Sequence, residues 1–137
     1  MTAKEKITIA YAEDQLWFRE PTTEMLTESG FDIIGDFDNG VELLGFLENT
    51  SKLPDLVLTD LEMPEMNGIT LTKEILKRWP DSKVLILTSE VDRFYVEEAK
   101  ESGALAFLHK IIDYKNLEKA LVDVYQTGAS DIGRLRK

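Results

Sequence analysis

Acidic side chains follow two of the apolar runs in this 137-residue chain. Glu13 and Asp14 come directly after the run at 7–12, and Asp60 ends the stretch LVLTD. If these runs are parallel strands of one sheet, their carboxyl ends share an edge and the three carboxylates lie close together. Two carboxylates about 4 Å apart repel by roughly 4 kcal/mol at an effective dielectric constant near 20. The cluster therefore needs a cation or protons.

Two kinds of positive charge can neutralise such a cluster. Lys110 ends the last apolar run, and Thr88 and Ser89 end the run before it. A hard divalent cation with oxygen ligands, above all Mg²⁺, supplies the remaining positive charge and keeps several waters. Asp60 can then ligate the metal or attack an electrophile. These residue types therefore predict a metal site in which Asp60 serves as a ligand or as a nucleophile.

Strands and helices must alternate to position these residues. Five apolar, β-branched runs predict strands at 7–12, 31–37, 55–60, 83–89 and 104–110. Apolar residues at helical spacing lie between and after them, as in the stretches around Ile75 and Leu121. This alternation predicts an α/β fold, a doubly wound sheet of five parallel strands with helices on both faces. Among the known orders of such sheets we favour the flavodoxin-like order 2-1-3-4-5.

Two of the predicted helices contain residues that disfavour a helix. Pro21 falls within the first helix, at 15–29, where it removes an amide donor and its ring crowds the preceding turn. We therefore expect a kink near Trp17 or a late helix start. Gly45 lies inside the second helix and makes it the least secure of the five.

Composition limits the class of protein. The chain has 26 Asp and Glu against 16 Lys and Arg, a net charge of −10, which disfavours direct binding of this segment to nucleic acid. No apolar run is long enough to span a membrane, and none resembles the core of a signal peptide. There is no cysteine, so disulfides and thiolate metal sites are excluded. We expect one domain with no membrane association, in the cytoplasm.

Four motifs, in the right order, match one family. The motifs AED after strand 1, LTDLEMPEMNG around strand 3, LTSE after strand 4 and AFLHK on strand 5 together resemble the receiver domain of two-component response regulators, over residues 6–127. On this resemblance we expect a receiver domain at 1–127 and a C-terminal tail or linker stub at 128–137. The start of the domain and its lack of a proline after the lysine, where Ile111 stands, are similar to regulators with a helix-turn-helix output domain.

The resemblance implies a role for each residue of the acidic cluster. Asp60 is the phosphoacceptor, which takes a phosphoryl group from the phosphohistidine of a sensor histidine kinase. Mg²⁺ is held by Glu13, Asp14, Asp60 and the backbone carbonyl of Glu62. Lys110 pairs with the aspartate or with its phosphoryl oxygens.

The resemblance also implies a switch. Thr88 hydrogen-bonds the phosphoryl group and couples it to Phe107, the position of the family's switching aromatic residue. The output surface is then the fourth helix, fifth strand and fifth helix, and we expect altered protein contacts, including phosphorylation-dependent homodimerisation and regulation of transcription through an output domain. Glu62 and Glu90 occupy positions that adjust the lifetime of the acyl phosphate.

Other interpretations stay open at this stage. Glu13 and Asp14 can cap a helix, and Phe107 can be a core residue. An enzyme-class alternative is a metal-dependent phosphohydrolase with Asp60 as nucleophile and Glu62 as a rough substitute for the general acid. A binding-class alternative is a degenerate receiver that no longer accepts phosphate. His109 receives no role, and we expect Trp17, Phe18 and Trp79 to pack in the core or in a groove rather than to form a cofactor site.

Overall fold

The computed structural model describes residues 5–90 and 92–135 and contains five strands and five helices in strict alternation. The strands are β1 (Thr8–Ala12), β2 (Asp32–Phe37), β3 (Leu56–Thr59), β4 (Val84–Thr88) and β5 (Ala106–His109). The helices are α1 (Leu16–Glu28), α2 (Gly40–Asn49), α3 (Gly68–Arg78), α4 (Arg93–Ser102) and α5 (Tyr114–Thr127). The ends of the expected domain and tail, at 1–4 and 136–137, lie outside the described residues.

All five strands are parallel and lie in the order β2-β1-β3-β4-β5. This confirms the predicted fold class. Every residue of the central strand β3 and its neighbour β4 is buried, as expected of strands that are covered on both faces. The carboxyl ends of the strands therefore form one edge of a rigid sheet.

Alternate residues of each strand pack on opposite faces of the sheet. Tyr11 and Leu58 point into the cluster that α1 and α5 cover. Ala10 and Val57, their neighbours in sequence, point into the cluster that α2 and α3 cover. A smaller cluster beneath α4 includes Ile86. The two-residue period of a strand thus explains why nearly continuous apolar runs are needed here.

Side-chain caps fix where four of the helices begin. Each of these helices follows an Asn or Asp whose side-chain oxygen accepts a hydrogen bond from a backbone N–H in the first turn; the caps are Asn39, Asn67, Asp92 and Asp113. Such caps typically stabilise a helix by about 1 kcal/mol. They set the short loops at the carboxyl edge of the sheet, and α2 forms despite Gly45.

Pro21 does not delay the first helix. α1 begins at Leu16 and continues through Pro21 to Glu28, so the expected late start is wrong. The carbonyl that lacks its partner belongs to Trp17, whose side chain is 72% exposed, and Pro21 itself is exposed. Water can therefore take the place of the missing donor, which lowers the cost of a proline inside the helix.

Residues 132–135 pack against β5 instead of extending into solvent. Gly128 ends α5 in the left-handed conformation, and Ser130 is buried. Arg134 then pairs with Ala106 as an isolated antiparallel bridge at the free edge of β5. Within the described residues, no helix is both long enough and apolar enough to cross a membrane.

Candidate functional site

The predicted site residues meet at the carboxyl edge of the sheet. Glu13 and Asp14 follow β1, Asp60 follows β3, Thr88 ends β4 and Lys110 follows β5. Strand pairing continues one residue past the strands, since the Asp60 N–H donates to the carbonyl of Ala12 at 2.9 Å and the Lys110 N–H donates to that of Thr88 at 2.9 Å. The backbone of the site is therefore as well fixed as the sheet itself.

Three carboxylates form the centre of the site. One oxygen from each of Glu13, Asp14 and Asp60 lies within 4.8 Å of the other two. Glu13 is fully buried, Asp60 is nearly so, and Asp14 is half-buried beside a cleft of about 330 Å³. A hard oxygen donor set that opens on one side fits Mg²⁺, which keeps part of its water shell. The predicted metal ligands are thus brought together, and Glu62 lines the same cleft.

Lys110 is the cation within this cluster. Its Nζ lies 2.7 Å from Glu13 Oε1 and 3.4 Å from Asp60 Oδ2, and its side chain is only 14% exposed. The shorter contact is with Glu13, so the lysine is shared between two acids rather than paired with Asp60 alone. Its third neighbour is the ring of Phe18, whose centroid is 4.7 Å away.

One lysine does not balance three acids. Burial raises the pKa of Glu13 to about 7, and the charge of Asp60 adds to this rise while the contacts with Lys110 oppose it. Burial also raises the pKa of Asp60; Lys110 again opposes the shift and Asp14 adds to it. The cluster therefore binds protons more tightly than free carboxylates do. A divalent cation would remove that tendency.

Asp60 is oriented by its own loop. Its Oδ1 accepts a hydrogen bond of 2.7 Å from the N–H of Leu61, which leaves Oδ2 facing Lys110. The loop returns to the same place, because the N–H of Gly68 donates to the carbonyl of Leu61 at 2.7 Å. A Cβ atom at Gly68 would lie 2.1 Å from the carbonyl oxygen of Asp60, so no side chain fits there.

The two predicted switch residues lie in different environments. Thr88 is buried, lines the cleft, and its hydroxyl accepts a hydrogen bond of 3.1 Å from the N–H of Glu90. Phe107 is half-buried in the cluster beneath α4, which also includes Leu61 and Tyr95. Phe107 is therefore connected to the acidic site through Leu61, the residue next to Asp60.

The first turns of α1 add residues that the sequence interpretation did not assign to the site. Phe18 lies against Lys110, and Arg19 donates from Nη1 to the carbonyl of Glu13 at 2.5 Å. Trp17 lines the mouth of the cleft and donates from Nε1 to Gln15 Oε1 at 2.9 Å. Trp17 is thus not a core residue. The available signal was spacing, because these side chains follow Asp14 within about one helical turn.

Comparisons with known proteins identify the family of the chain. The family model described as response regulator receiver domain matches residues 9–122. The transcriptional regulatory protein DegU of Brevibacillus brevis is 34% identical over 125 residues, which are 90% of this chain and 52% of that protein. The chemotaxis protein CheY of Thermotoga maritima is 32% identical over 114 residues, 82% of this chain and 92% of that protein. The chain thus spans about half the length of the first transcriptional relatives it matches.

Solved structures show the same architecture. The signal receiver domain of a response regulator NarL from Mycobacterium tuberculosis superposes with a TM-score of 0.84 at 26% identity, covering 90% of this chain and 99% of that one. A DNA-binding response regulator of the LuxR family from Staphylococcus aureus gives a TM-score of 0.81 at 29% identity, covering 87% and 98%. The five-stranded fold is shared over nearly the whole chain.

Proposed function

Because the chain belongs to the response regulator receiver domain family of two-component signalling, we propose that Asp60 accepts a phosphoryl group from a sensor histidine kinase. The observation that supports this most directly is the position of Asp60. Its Oδ1 is fixed by the N–H of Leu61, its Oδ2 faces Lys110, and two further acids lie within 4.8 Å. A nucleophile, a fixed cation and a metal-binding donor set thus meet at one open cleft.

The transfer needs little more than this arrangement. An oxygen of Asp60 attacks the phosphorus atom of the donor's phosphohistidine, and the bond from the histidine nitrogen to phosphorus breaks as the new oxygen–phosphorus bond forms. The products are the acyl phosphate on Asp60 and a free histidine on the kinase. Phosphoryl transfer depends mainly on positioning and charge stabilisation, so no dedicated base is required.

Mg²⁺ would be held by Glu13, Asp14, Asp60 and the backbone carbonyl of Glu62. When bound, it would neutralise charge on the phosphoryl oxygens. The chain's own groups do the rest: Lys110, already 3.4 Å from Asp60, moves its charge towards the phosphoryl oxygens, and the hydroxyl of Thr88 donates to one of them. The Thr88 oxygen now accepts from the N–H of Glu90, so its O–H proton is available for that donation.

The phosphorylated site would change protein contacts through Phe107. Movement of Thr88 towards the phosphoryl group leaves room for the half-buried ring of Phe107 to turn inward, which reshapes the surface formed by α4, β5 and α5. Tyr95 packs in the same cluster, and Phe94 is 62% exposed beside it. A homodimer that depends on phosphorylation would use this surface.

The wider role follows from the relatives. Receiver domains are signalling domains rather than classical enzymes, which disfavours the phosphohydrolase alternative. DegU is named a transcriptional regulatory protein, and the chain spans about half of it, so we propose that this receiver regulates transcription through an output domain. With a net charge of −10, the segment described here would leave nucleic-acid binding to that domain, and the lack of cysteine suits the reducing cytoplasm.

Intact-mass measurement tests the phosphoacceptor directly. The wild-type protein, incubated with acetyl phosphate and Mg²⁺, should gain about one phosphoryl group. Removal of Mg²⁺ with EDTA, or the substitution Asp60→Asn, should abolish the adduct, whereas Asp81→Asn at an exposed loop position should leave it unchanged. No adduct, with donor hydrolysis excluded, would favour the phosphate-independent binding module. A label that persists in Asp60→Asn would show that another residue is the nucleophile.

A further inference from the structure

The chain covers the free edge of its own sheet. β5 is an edge strand, and such a strand presents unpaired N–H and C=O groups that pair readily with another extended segment. Here the N–H of Phe107 donates to the carbonyl of Gly133 at 2.9 Å, next to the bridge between Ala106 and Arg134. The occupant of this edge is therefore residues 130–135, which we name the clasp.

The clasp is anchored at its start. Ser130 is 3% exposed, and its hydroxyl donates to Asp123 Oδ2 at 2.8 Å while accepting from the N–H of Ile132 at 3.1 Å. These contacts tie the clasp to the last turns of α5. The start of the clasp is thus fixed to α5.

The clasp reaches both faces of the sheet. Ile132 packs against the core cluster covered by α1 and α5, whereas Leu135 packs in the cluster beneath α4. Gly133 makes the crossing with φ of 66°, and a Cβ atom there would lie 2.4 Å from Leu108 Cδ2 and 2.7 Å from the carbonyl oxygen of Phe107. The backbone of the clasp therefore lies directly on β5 at the position next to Phe107.

We propose that the clasp is a phosphorylation-responsive cover on β5, held when Asp60 is unmodified and loosened when Asp60 carries a phosphoryl group. The coupling rests on the function proposed above. Leu61, Phe107 and Leu135 share one cluster, and Leu61 donates its N–H to Asp60. When the ring of Phe107 turns inward, Leu135 loses part of the apolar surface on which it packs. The same residue also holds the clasp through its backbone, because the Phe107 N–H donates to Gly133.

Release would change what the protein offers to partners. The loosened clasp uncovers the N–H of Phe107 and the adjoining edge of β5. Phosphorylation would then act by removing an occupant as well as by reshaping α4, β5 and α5.

Hydrogen exchange of single amides tests the coupling in the wild-type protein. Exchange of the Phe107 N–H should become about tenfold faster after acetyl phosphate and Mg²⁺ treatment. The control is the N–H of Leu105, which donates to Val84 on the opposite side of the strand at 2.8 Å and should keep its rate. Intact mass is recorded on the same samples, so the extent of phosphorylation is known.

The outcomes separate the two proposals. A complete adduct with unchanged exchange at Phe107 would overturn the clasp and leave the phosphoacceptor intact. Absence of any adduct would overturn the proposed function and, with it, the coupling. Equal acceleration at Leu105 and Phe107 would indicate general loosening of β5 and would also overturn the clasp.

A matched pair of glycine substitutions tests the contact itself. Gly133→Ala and Gly128→Ala both place a side chain at positive φ, but only at residue 133 does the new Cβ meet other atoms. In the unphosphorylated protein, Gly133→Ala should accelerate exchange at Phe107 about tenfold, whereas Gly128→Ala should leave it within about twofold of wild type. Equal rates in the two variants would show that Gly133 does not hold the clasp on β5.

Discussion

Replacing Asp60, the proposed nucleophile, should stabilise the metal-free protein. The substitution Asp60→Asn removes one charge from the acidic cluster but keeps an oxygen that can accept from the N–H of Leu61. The cluster is crowded, since the oxygens of Glu13, Asp14 and Asp60 lie within 4.8 Å of one another. The expected sign is therefore opposite to that of most buried substitutions.

The magnitude follows from the distances. At 4.8 Å and an effective dielectric constant of about 20, each carboxylate pair repels by roughly 3.5 kcal/mol, so the two pairs that include Asp60 cost roughly 7 kcal/mol. With the same dielectric constant, attraction between Asp60 and Lys110 at 3.4 Å stabilises the ionised Asp60 by roughly 5 kcal/mol. Asp60→Asn should thus raise the free energy of unfolding by about 2 kcal/mol at low ionic strength.

Urea unfolding measures this difference. The experiment is made in EDTA at pH 8.5, where Glu13, with a pKa of about 7, is ionised. Asp81→Asn is the control for removal of an exposed acid and should change little. Mg²⁺ at about 100 times its dissociation constant should then stabilise the wild type by about 2.7 kcal/mol and Asp60→Asn by clearly less. A destabilised Asp60→Asn in EDTA, with the same Mg²⁺ response as wild type, would refute the electrostatic argument.

Three further outcomes are expected at the same site. Burial raises the pKa of Glu13 to about 7, so the folded state binds this proton more tightly than the unfolded state does. As the pH rises from 4.5 to 7, the metal-free protein should therefore lose up to about 3 kcal/mol of stability. Above pH 7 its stability should change little. Urea unfolding in EDTA at pH 5 and pH 8 checks this, and a rise over that interval would contradict it. Lys110→Met leaves two buried acids without their cation, so the variant should be less stable than the wild type by about 3 kcal/mol in EDTA at pH 8.5. The variant should also bind Mg²⁺ more tightly, because a competing positive charge is gone. Weaker Mg²⁺ binding in a titration would argue against this role of Lys110. Trp17 lines the cleft whereas Trp79 lies with the loop before β4, so a Mg²⁺-dependent change in fluorescence should survive Trp79→Phe and disappear in Trp17→Phe. The reverse pattern would place the ion elsewhere.

The sequence predicted the site residues that stand at the carboxyl ends of strands. Asp60 and Lys110 each follow an apolar run, and parallel strands bring such positions to one edge whatever the details of packing. The carboxylates of Glu13 and Asp14 follow for the same reason, and the structure does bring them to Asp60. Their roles in metal binding and phosphoryl transfer stay predictions, as do those of Thr88 and Phe107.

The parts that the sequence did not predict depend on packing between elements. The contact of Phe18 with Lys110 depends on how α1 is oriented about its own axis, and residue spacing within α1 does not predict that orientation. Pro21 was expected to kink α1 or to delay its start; the start is not delayed, and the carbonyl left unpaired belongs to an exposed residue. The clasp was not predicted because residues 130–135 contain no continuous apolar run. Backbone groups, two apolar side chains and the absence of a side chain at Gly133 hold it on β5.

Gly68 takes no part in the proposed phosphoryl transfer, but its lack of a side chain lets the backbone of Asp60 keep its position. Any side chain at this position would clash with the carbonyl of Asp60, which lies eight residues earlier in the chain. The substitution Gly68→Ala would keep every acid, the lysine and the threonine, but the proposed nucleophile would stand on a displaced backbone. An inventory of polar motif residues would therefore misjudge such a protein as competent. Position 68 should be considered together with position 60 whenever the competence of a receiver is inferred from its sequence.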